Sequence, residues 1–273
     1  MHVRHVIRPF AFLLVASLSA SSAWAQATAT QKPASETQKP YEPQVGQGGK
    51  DVVWVPTPQA LVDKMLDIAK LTPQDFLMDL GSGDGRTVIT AAKRGSRALG
   101  IEYNPDMVEL SKKNAAAAGV ADKASFAKAD LFETDFSKAQ VITMFLLPSI
   151  NIKLRPKILD LKPGTRIVSN SFNMEDWEAD QTETITGDCT SWCTALLWIV
   201  PAKVEGSWQL GQGELKLSQQ FQNVTGTLGT QAISEGKLRG DEITFKAGTT
   251  TYTGRVSGNT IKGTSPNGWS ATK

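Results

Sequence analysis

The sequence predicts an α/β protein, a mostly parallel sheet with helices packed on it, followed by a small all-β antiparallel meander or barrel. Three observations carry this. Apolar strand-like runs alternate with helix-period patterns between residues 51 and 201. One of these runs, at 76–78, leads through Asp79 into Gly81, Gly83 and Gly85, and a helical pattern begins at once with Thr87, Val88, Ile89, Ala91 and Ala92. After Pro201 the helix signals stop, and apolar alternation with Gly-rich turns and many threonines takes over.

Residues 1–25 read as a secretory signal peptide. Arg4 and Arg8 form a basic start, 10–18 an apolar run, and Ala23-Trp24-Ala25 a small-residue cleavage signal. No cysteine follows the run, and it is short for a bilayer span, so no stable membrane anchor is expected after cleavage. The expected location is exported and periplasmic; mitochondrial-type targeting or a retained signal anchor remain open. Residues 26–50 are rich in Gln, Thr, Ala, Lys, Pro and Gly and read as a disordered linker.

Removing the signal restricts the chemistry. His2 and His5 are the two histidines of the chain and both lie within it, which excludes a Ser-His-Asp triad, a His-ligated zinc and a histidine base. Without Arg4 and Arg8, 27 basic residues face 27 acidic ones, so charge gives no support to a nucleic-acid partner. No metal site is expected. Cys189 and Cys193 have two readings: unlinked thiols beside a strand, or a short-loop disulfide in an oxidising compartment.

The segment 51–201 forms the first predicted domain. Thr57 reads as an N-cap with Pro58 at the first helical position, and Leu61, Met65, Ile68 and Leu71 share one helix face. The strand into Asp79 follows, then a helix to about Arg94 and a strand ending at Glu102. Asn104-Pro105 starts a helix that stops at Gly119. Strands are expected at 125–128 and 140–145, a helix at 151–161, a strand at 165–169 and an antiparallel pair at 183–186 and 194–200. In the second domain, 202–273, GKLRGDEITF and GRVSGNTIKG repeat at a spacing of 18 residues, each with a Gly-Asp or Gly-Asn hairpin turn.

The glycine turn carries the chemistry. Glycines accept positive φ and let a ligand lie on bare backbone, and the helix start offers unpaired N–H groups. Carboxylates at Asp79 and Asp84 disfavour a phosphate and favour a cationic ligand rich in hydroxyl and ammonium donors, such as S-adenosylmethionine. Twenty-three residues after Asp79 the next strand ends in Glu102, placed for a ribose diol. A further apolar segment leads to Asp130. The third glycine falls one residue short of the dinucleotide fingerprint.

VPTP at 55–58, DLGSGDGR at 79–86, GIEYNP at 100–105, the pair Asp130-Leu131, FLLP at 145–148 and LKPGTRIVS at 161–169 resemble the class I S-adenosylmethionine-dependent methyltransferases. The resemblance is strongest to the branch of lysine methyltransferases acting on the c-ring protein of ATP synthase and on the adenine nucleotide translocase. It covers about half of the chain and implies a seven-stranded, mostly parallel Rossmann-like sheet. By this resemblance Asp79, Gly81 and Gly83 lie against the methionine part of the cofactor, and Ser82 is a further cofactor-binding residue. Glu102 takes the ribose hydroxyls, Asp130 and Leu131 bracket the adenine, and Thr57 helps close the pocket. Thr57 as a mere cap and Asp130 as a mere turn residue remain alternatives.

The functional expectation is an N-methyltransferase acting on a protein lysine, with S-adenosylmethionine as cofactor. A small-molecule acceptor or a non-catalytic nucleoside-binding protein are the alternatives. No residue is assigned a catalytic role, because an amine acceptor needs no side-chain base. FLLP lacks the side-chain amide that nucleobase methylation uses, and Trp54 and Trp177 are candidate walls of an acceptor channel. Export and a cytosolic cofactor pull against each other, since a chain that crosses a membrane unfolded carries no ligand with it.

Overall fold

Buried apolar side chains on one face of each helix place four helices against a seven-stranded sheet. The computed structural model describes residues 41–273 except Asp188, Gln212 and Asn267; the segments expected to be a signal peptide, 1–25, and a linker, up to residue 40, lie outside the described residues. Helix α1 (Gln59–Ile68) turns Leu61, Val62, Met65, Leu66 and Ile68 inward. It starts one residue later than the sequence predicts. Pro58 takes the cap position without a side-chain bond, because the Thr57 hydroxyl accepts from Asn170 Nδ2 at 3.2 Å.

Strand β1 (Phe76–Leu80) is followed by α2 (Arg86–Lys93), β2 (Arg97–Glu102), α3 (Pro105–Ala117), β3 (Ala124–Lys128) and β4 (Val141–Met144). The α3 start follows the predicted chemistry: Asn104 Oδ1 accepts from the Asp106 N–H at 2.9 Å, with proline in the first turn. Helix α4 (Pro148–Leu159) begins three residues before the expected 151, since Pro148 opens the helix rather than stopping the chain. Strands β5 (Arg166–Asn170), β6 (Gln181–Thr184) and β7 (Thr194–Ile199) complete the sheet.

Its order is β3-β2-β1-β4-β5-β7-β6, with β1 to β5 parallel and β7 antiparallel to both neighbours. Successive side chains of a strand face opposite sides. Leu77 therefore joins the core under α1, α2 and α3, while Met78 and Leu80 join the core under α4.

The strands β8 (Gly206–Leu210), β9 (Gly213–Gln220), β10 (Asn223–Leu228), β11 (Gln231–Arg239), β12 (Glu242–Ala247), β13 (Thr250–Ser257), β14 (Thr260–Ser265) and β15 (Ser270–Thr272) close into an antiparallel barrel. Both predicted turns, Gly240-Asp241 and Gly258-Asn259, join paired strands. Closure comes from β15 pairing with β8, which removes free sheet edges. Gly226 is required where the β10–β11 register shifts: at φ 147° an added Cβ would lie 1.8 Å from the Lys216 carbonyl oxygen. Trp208, Leu215, Ile243, Phe245 and Ile261 fill the interior.

The barrel meets the sheet at the N-terminal side of β5. The Ala202 N–H donates to the Gly240 carbonyl at 2.8 Å, and Gly240 abuts Gly164. Phe221 stacks on buried Trp177, and Gln222 Nε2 donates to the Glu178 carbonyl at 2.8 Å.

Candidate functional site

Strand order reverses between β1 and β4, and the crevice outside their carboxyl ends is where open α/β sheets bind ligands. A cavity of about 520 Å³ opens there. All eight predicted residues, Thr57, Asp79, Gly81, Ser82, Gly83, Glu102, Asp130 and Leu131, line it. None of the described residues of the barrel does.

The loop between β1 and α2 is anchored to β2. The Gly81 and Ser82 N–H groups both donate to the Ile101 carbonyl, at 2.9 and 3.0 Å. The Gly83 N–H donates to Glu102 Oε2 at 3.0 Å, and the Asn104 N–H to Oε1 at 2.9 Å. Each Glu102 oxygen keeps acceptor capacity for a further donor. Gly83 is at φ 53°, and an added Cβ would meet the Trp54 indole nitrogen at 2.6 Å, so a bare backbone is needed under that ring.

Asp79 is buried at the end of β1 and accepts the Thr143 hydroxyl at 2.7 Å. Burial pushes its carboxyl up to about 7; the Thr143 bond opposes this, and the charges of Glu102 and Asp84 add to it. Asp84 has a different role from the expected one. Arg86 grips both of its oxygens, at 3.0 and 2.6 Å, and donates to the Thr57 carbonyl at 2.8 Å. Asp84 is therefore paired with Arg86, and Asp130 with Lys50; Asp79 and Glu102 are cavity carboxyls without a Lys or Arg partner among the described residues.

The expectation of disorder through residue 50 does not hold from residue 41 onward. The segment has few apolar side chains, with Val45 exposed, but is tied down by polar bonds: the Gly46 N–H donates to the Trp54 carbonyl at 2.8 Å, the Trp54 N–H to the Gln47 carbonyl at 2.9 Å, and Gly48 bridges Val53. This strap lines the cavity from Gln47 to Thr57. Lys50 pairs with Asp130 Oδ2, while Asp130 Oδ1 accepts the Phe132 N–H at 2.9 Å. The hydrogen bond from Lys50 holds the Asp130 carboxyl below its usual range. Asp130 thus begins a turn and faces the cavity as well.

Of the two tryptophans expected as walls of an acceptor channel, Trp54 lines the cavity over Gly83 and Trp177 does not. It is fully buried against Trp198 and Phe221, where its area contributes to the core. The wall that the sequence did not reveal is Phe145, Phe172 and Trp192. They follow β4 and β5 and precede β7, and no local spacing links them. Among the described residues five large hydrophobic side chains are exposed, and four of them, Val53, Tyr103, Leu147 and Trp192, rim this cavity. Cys189 and Cys193 are joined in a disulfide beside Trp192, which settles the two readings of that pair.

The donor set fits S-adenosylmethionine. A buried carboxyl raised to about 7 lacks a cationic partner, Glu102 has acceptor capacity beside a bare glycine backbone, and the buried Ser82 hydroxyl has no partner among the described residues.

Comparison with known proteins agrees with this chemistry. The ANTKMT methyltransferase domain family matches residues 79–181. A protein-lysine N-methyltransferase of Saccharolobus islandicus is 46% identical over 129 residues, covering 46% of this chain and 80% of that protein. The Mus musculus lysine N-methyltransferase of the ATP synthase c-ring protein is 39% identical over 107 residues, and the match spans 39% of this chain and 43% of that protein. A Salinibacter ruber RNA methyltransferase, solved with S-adenosyl-L-homocysteine, superposes with a TM-score of 0.52 at 48% identity, covering 55% of this chain and 96% of that one. The family match runs from within β1 through β5, and the three matched proteins cover 39 to 55% of this chain. With the fold, the site and an archaeal relative covered over four fifths of its length in agreement, this chain belongs to the family of S-adenosylmethionine-dependent methyltransferases that includes the archaeal protein-lysine N-methyltransferase.

Proposed function

We propose that the protein transfers a methyl group from S-adenosylmethionine to the side-chain nitrogen of a protein lysine. The observation that carries this is the composition of the cavity: carboxylates on the β1–β2 side and an apolar and aromatic rim on the outer side. The named activities of the archaeal relative and of the murine enzyme support the acceptor class. The Salinibacter ruber protein carries the name of an RNA methyltransferase, so RNA is the rival acceptor. The balanced charge of residues 26–273 and the loop Phe145-Leu146-Leu147-Pro148, with no side-chain amide, favour the protein.

In this reading Asp79 holds the cofactor's ammonium group, Glu102 its ribose hydroxyls, and Asp130 with Leu131 the adenine. Thr57, positioned by Asn170, closes the pocket from the strap side. When bound, the cofactor supplies a methyl group activated on a positive sulfur. At its reference pKa a lysine must lose a proton at a cost of about 4.6 kcal/mol at pH 7. Val53 and Leu147 desolvate the incoming amine and favour its neutral form, and the proton leaves to water at the open mouth. Positioning supplies much of the remaining rate.

We also propose export. The signal pattern at 1–25 supports it, as does the Cys189–Cys193 disulfide, a bond that persists in oxidising compartments. Mass spectrometry of native protein should find Gln26 at the N-terminus; an intact Met1 in a cytosolic fraction would refute export.

The test of function is calorimetric titration with S-adenosylmethionine and S-adenosylhomocysteine, followed by methyl-label transfer to a protein extract and to purified total RNA. Label on protein lysines supports the proposal. Label confined to RNA defeats the lysine assignment, and binding of neither nucleoside defeats methyl transfer altogether.

A further inference from the structure

We propose that Trp192, held at the cavity mouth by the Cys189–Cys193 disulfide, is a specificity-determining residue of the acceptor side. Its ring, with Phe145 and Phe172, walls the passage for an aliphatic ammonium side chain. This rests on the lysine reading above and assigns that reading a binding surface.

The sheet order separates two sides of the cavity. Asp79, Glu102 and Asp130 stand at the ends of β1, β2 and β3, whereas Phe145, Phe172 and Trp192 belong to the ends of β4, β5 and β7. Phe172 stacks on Phe145 at 5.8 Å between ring centroids, and Trp192 meets Phe145 edge-on at 6.0 Å. Aromatic faces attract ammonium groups while their area covers a methylene stem. A tryptophan left 45% exposed at such a mouth offers its free surface to a ligand.

The wall is held at both roots. The Ser171 N–H donates to the Thr194 carbonyl at 2.8 Å, tying the Phe172 segment to the start of β7. Ser171 at φ 58° and Trp192 at φ 54° both occupy the left-handed region, which bulky side chains rarely adopt. Local sequence does not favour that conformation at Trp192. The Ile185 N–H bond to the Cys193 carbonyl, at 2.9 Å, fixes one end of the loop, and the disulfide closes it around Trp192. Breaking that bond releases the backbone to ordinary φ values and the ring from Phe145. Reduction turns the disulfide into two thiols; an added dithiol supplies the two electrons and two protons and closes into its own cyclic disulfide.

The experiment uses the full chain labelled with 5-fluorotryptophan and saturated with S-adenosylhomocysteine. The Trp192 fluorine resonance is identified by its loss in Trp192→Phe. Titration with n-butylammonium, the lysine side chain without its backbone, should shift that resonance to saturation. After dithiothreitol treatment, or in the Cys189→Ser/Cys193→Ser variant, affinity should fall about tenfold, equal to about 1.4 kcal/mol. Dithiothreitol should have no further effect on that variant. In parallel, Trp192→Ala should raise KM for lysine-containing peptides about tenfold with the S-adenosylmethionine Kd unchanged. An unmoved Trp192 resonance, or equal butylammonium affinity in oxidised and reduced protein, overturns the proposal. If the wild type binds cofactor yet labels no lysine peptide, the lysine reading fails by itself, and the resonance titration still decides the role of Trp192.

Discussion

Thr143 donates its hydroxyl to Asp79 across 2.7 Å, and this is the one side-chain hydrogen bond that the buried carboxylate receives among the described residues. The two residues sit side by side in β1 and β4, the pair of strands between which the sheet order reverses. A single neutral donor does not offset the burial of a charge. The site is therefore electrostatically incomplete until a cation arrives, which links cofactor binding to proton release and to stability.

That link gives the first prediction. The Asp79 carboxyl is pushed from 3.8 up to about 7 by burial. An acid whose pKa is raised by folding contributes stability that is full below about pH 4 and lost as pH rises through about 7. At 1.36 kcal/mol per unit, the displacement corresponds to at most about 4 kcal/mol. Asp79→Asn should therefore gain stability over the wild type between pH 4 and 7, with the difference level above that, while losing affinity for S-adenosylhomocysteine. Denaturant unfolding of both proteins across this range measures the difference. Calorimetry in buffers of different ionisation enthalpy should detect proton release on binding at pH 6 and little at pH 8.5. A flat difference with no proton release would remove Asp79 from the linkage.

The second prediction concerns Glu102. Both of its oxygens are engaged by backbone N–H groups, of Gly83 and Asn104, so it braces the loop as well as facing the cavity. Glu102→Ala should weaken S-adenosylmethionine binding by roughly 2–4 kcal/mol, the scale of two hydrogen bonds to a charged acceptor. Glu102→Gln keeps one acceptor oxygen and should lose less. Calorimetric Kd values for both variants, with circular dichroism to confirm the fold, check this ordering.

The loop from Asp79 to Arg86, the acid ending β2 and both Gly-Asp and Gly-Asn hairpins were legible because each is a local sequence pattern, although Glu102 and Asp79 meet Gly83 and Thr143 only across 19 and 64 residues. The cofactor side of the cavity is built from such patterns. The acceptor side is not. Trp192 finds Phe145 across two intervening strands of chain; away from that wall, Lys50 finds Asp130 across 80 residues, and β15 closes on β8 only once the barrel exists. Strap residues 41–50 looked structureless because their order comes from backbone hydrogen bonds, which composition does not report. Asp84 was misread for the opposite reason: its partner Arg86 is two residues away, and a neighbouring charge was counted as ligand-binding when it is already paired.

The Lys50–Asp130 pair makes the third prediction. Lys50 comes from the strap and lies near the rings of Tyr103 and Phe132, at 5.1 and 5.9 Å from their centroids. Both charges of the pair are solvent-accessible, so its removal should leave the melting temperature unchanged. If Asp130 receives the adenine amine, Lys50 competes for the same oxygen. Lys50→Ala should then bind S-adenosylmethionine at least as tightly as the wild type, and Asp130→Ala more weakly. Equal weakening in the two variants would instead make the ion pair itself the binding element.

The fourth prediction separates barrel from sheet. The cavity is lined by residues between Gln47 and Trp192, while the barrel attaches through Phe221 on Trp177, Gln222 on Glu178 and Gly240 on Ala202. Arg155 also lies over the Phe221 ring, at 5.2 Å. A chain ending at Lys203 keeps all seven strands of the sheet and all the cavity residues, but exposes part of Trp177. Losing an aromatic contact of that size costs about 1.5–3 kcal/mol, which for a domain of this length lowers Tm by roughly 3–12 °C. Phe221→Ala in the full chain should reproduce part of that fall without removing the barrel. S-adenosylhomocysteine affinity should be unchanged in both proteins, because neither alters β1, β2 or the strap. A truncated protein that is folded by circular dichroism but does not bind the nucleoside would show that the barrel sets the geometry of the cavity from the far side of the sheet, acting through Trp177 and β5.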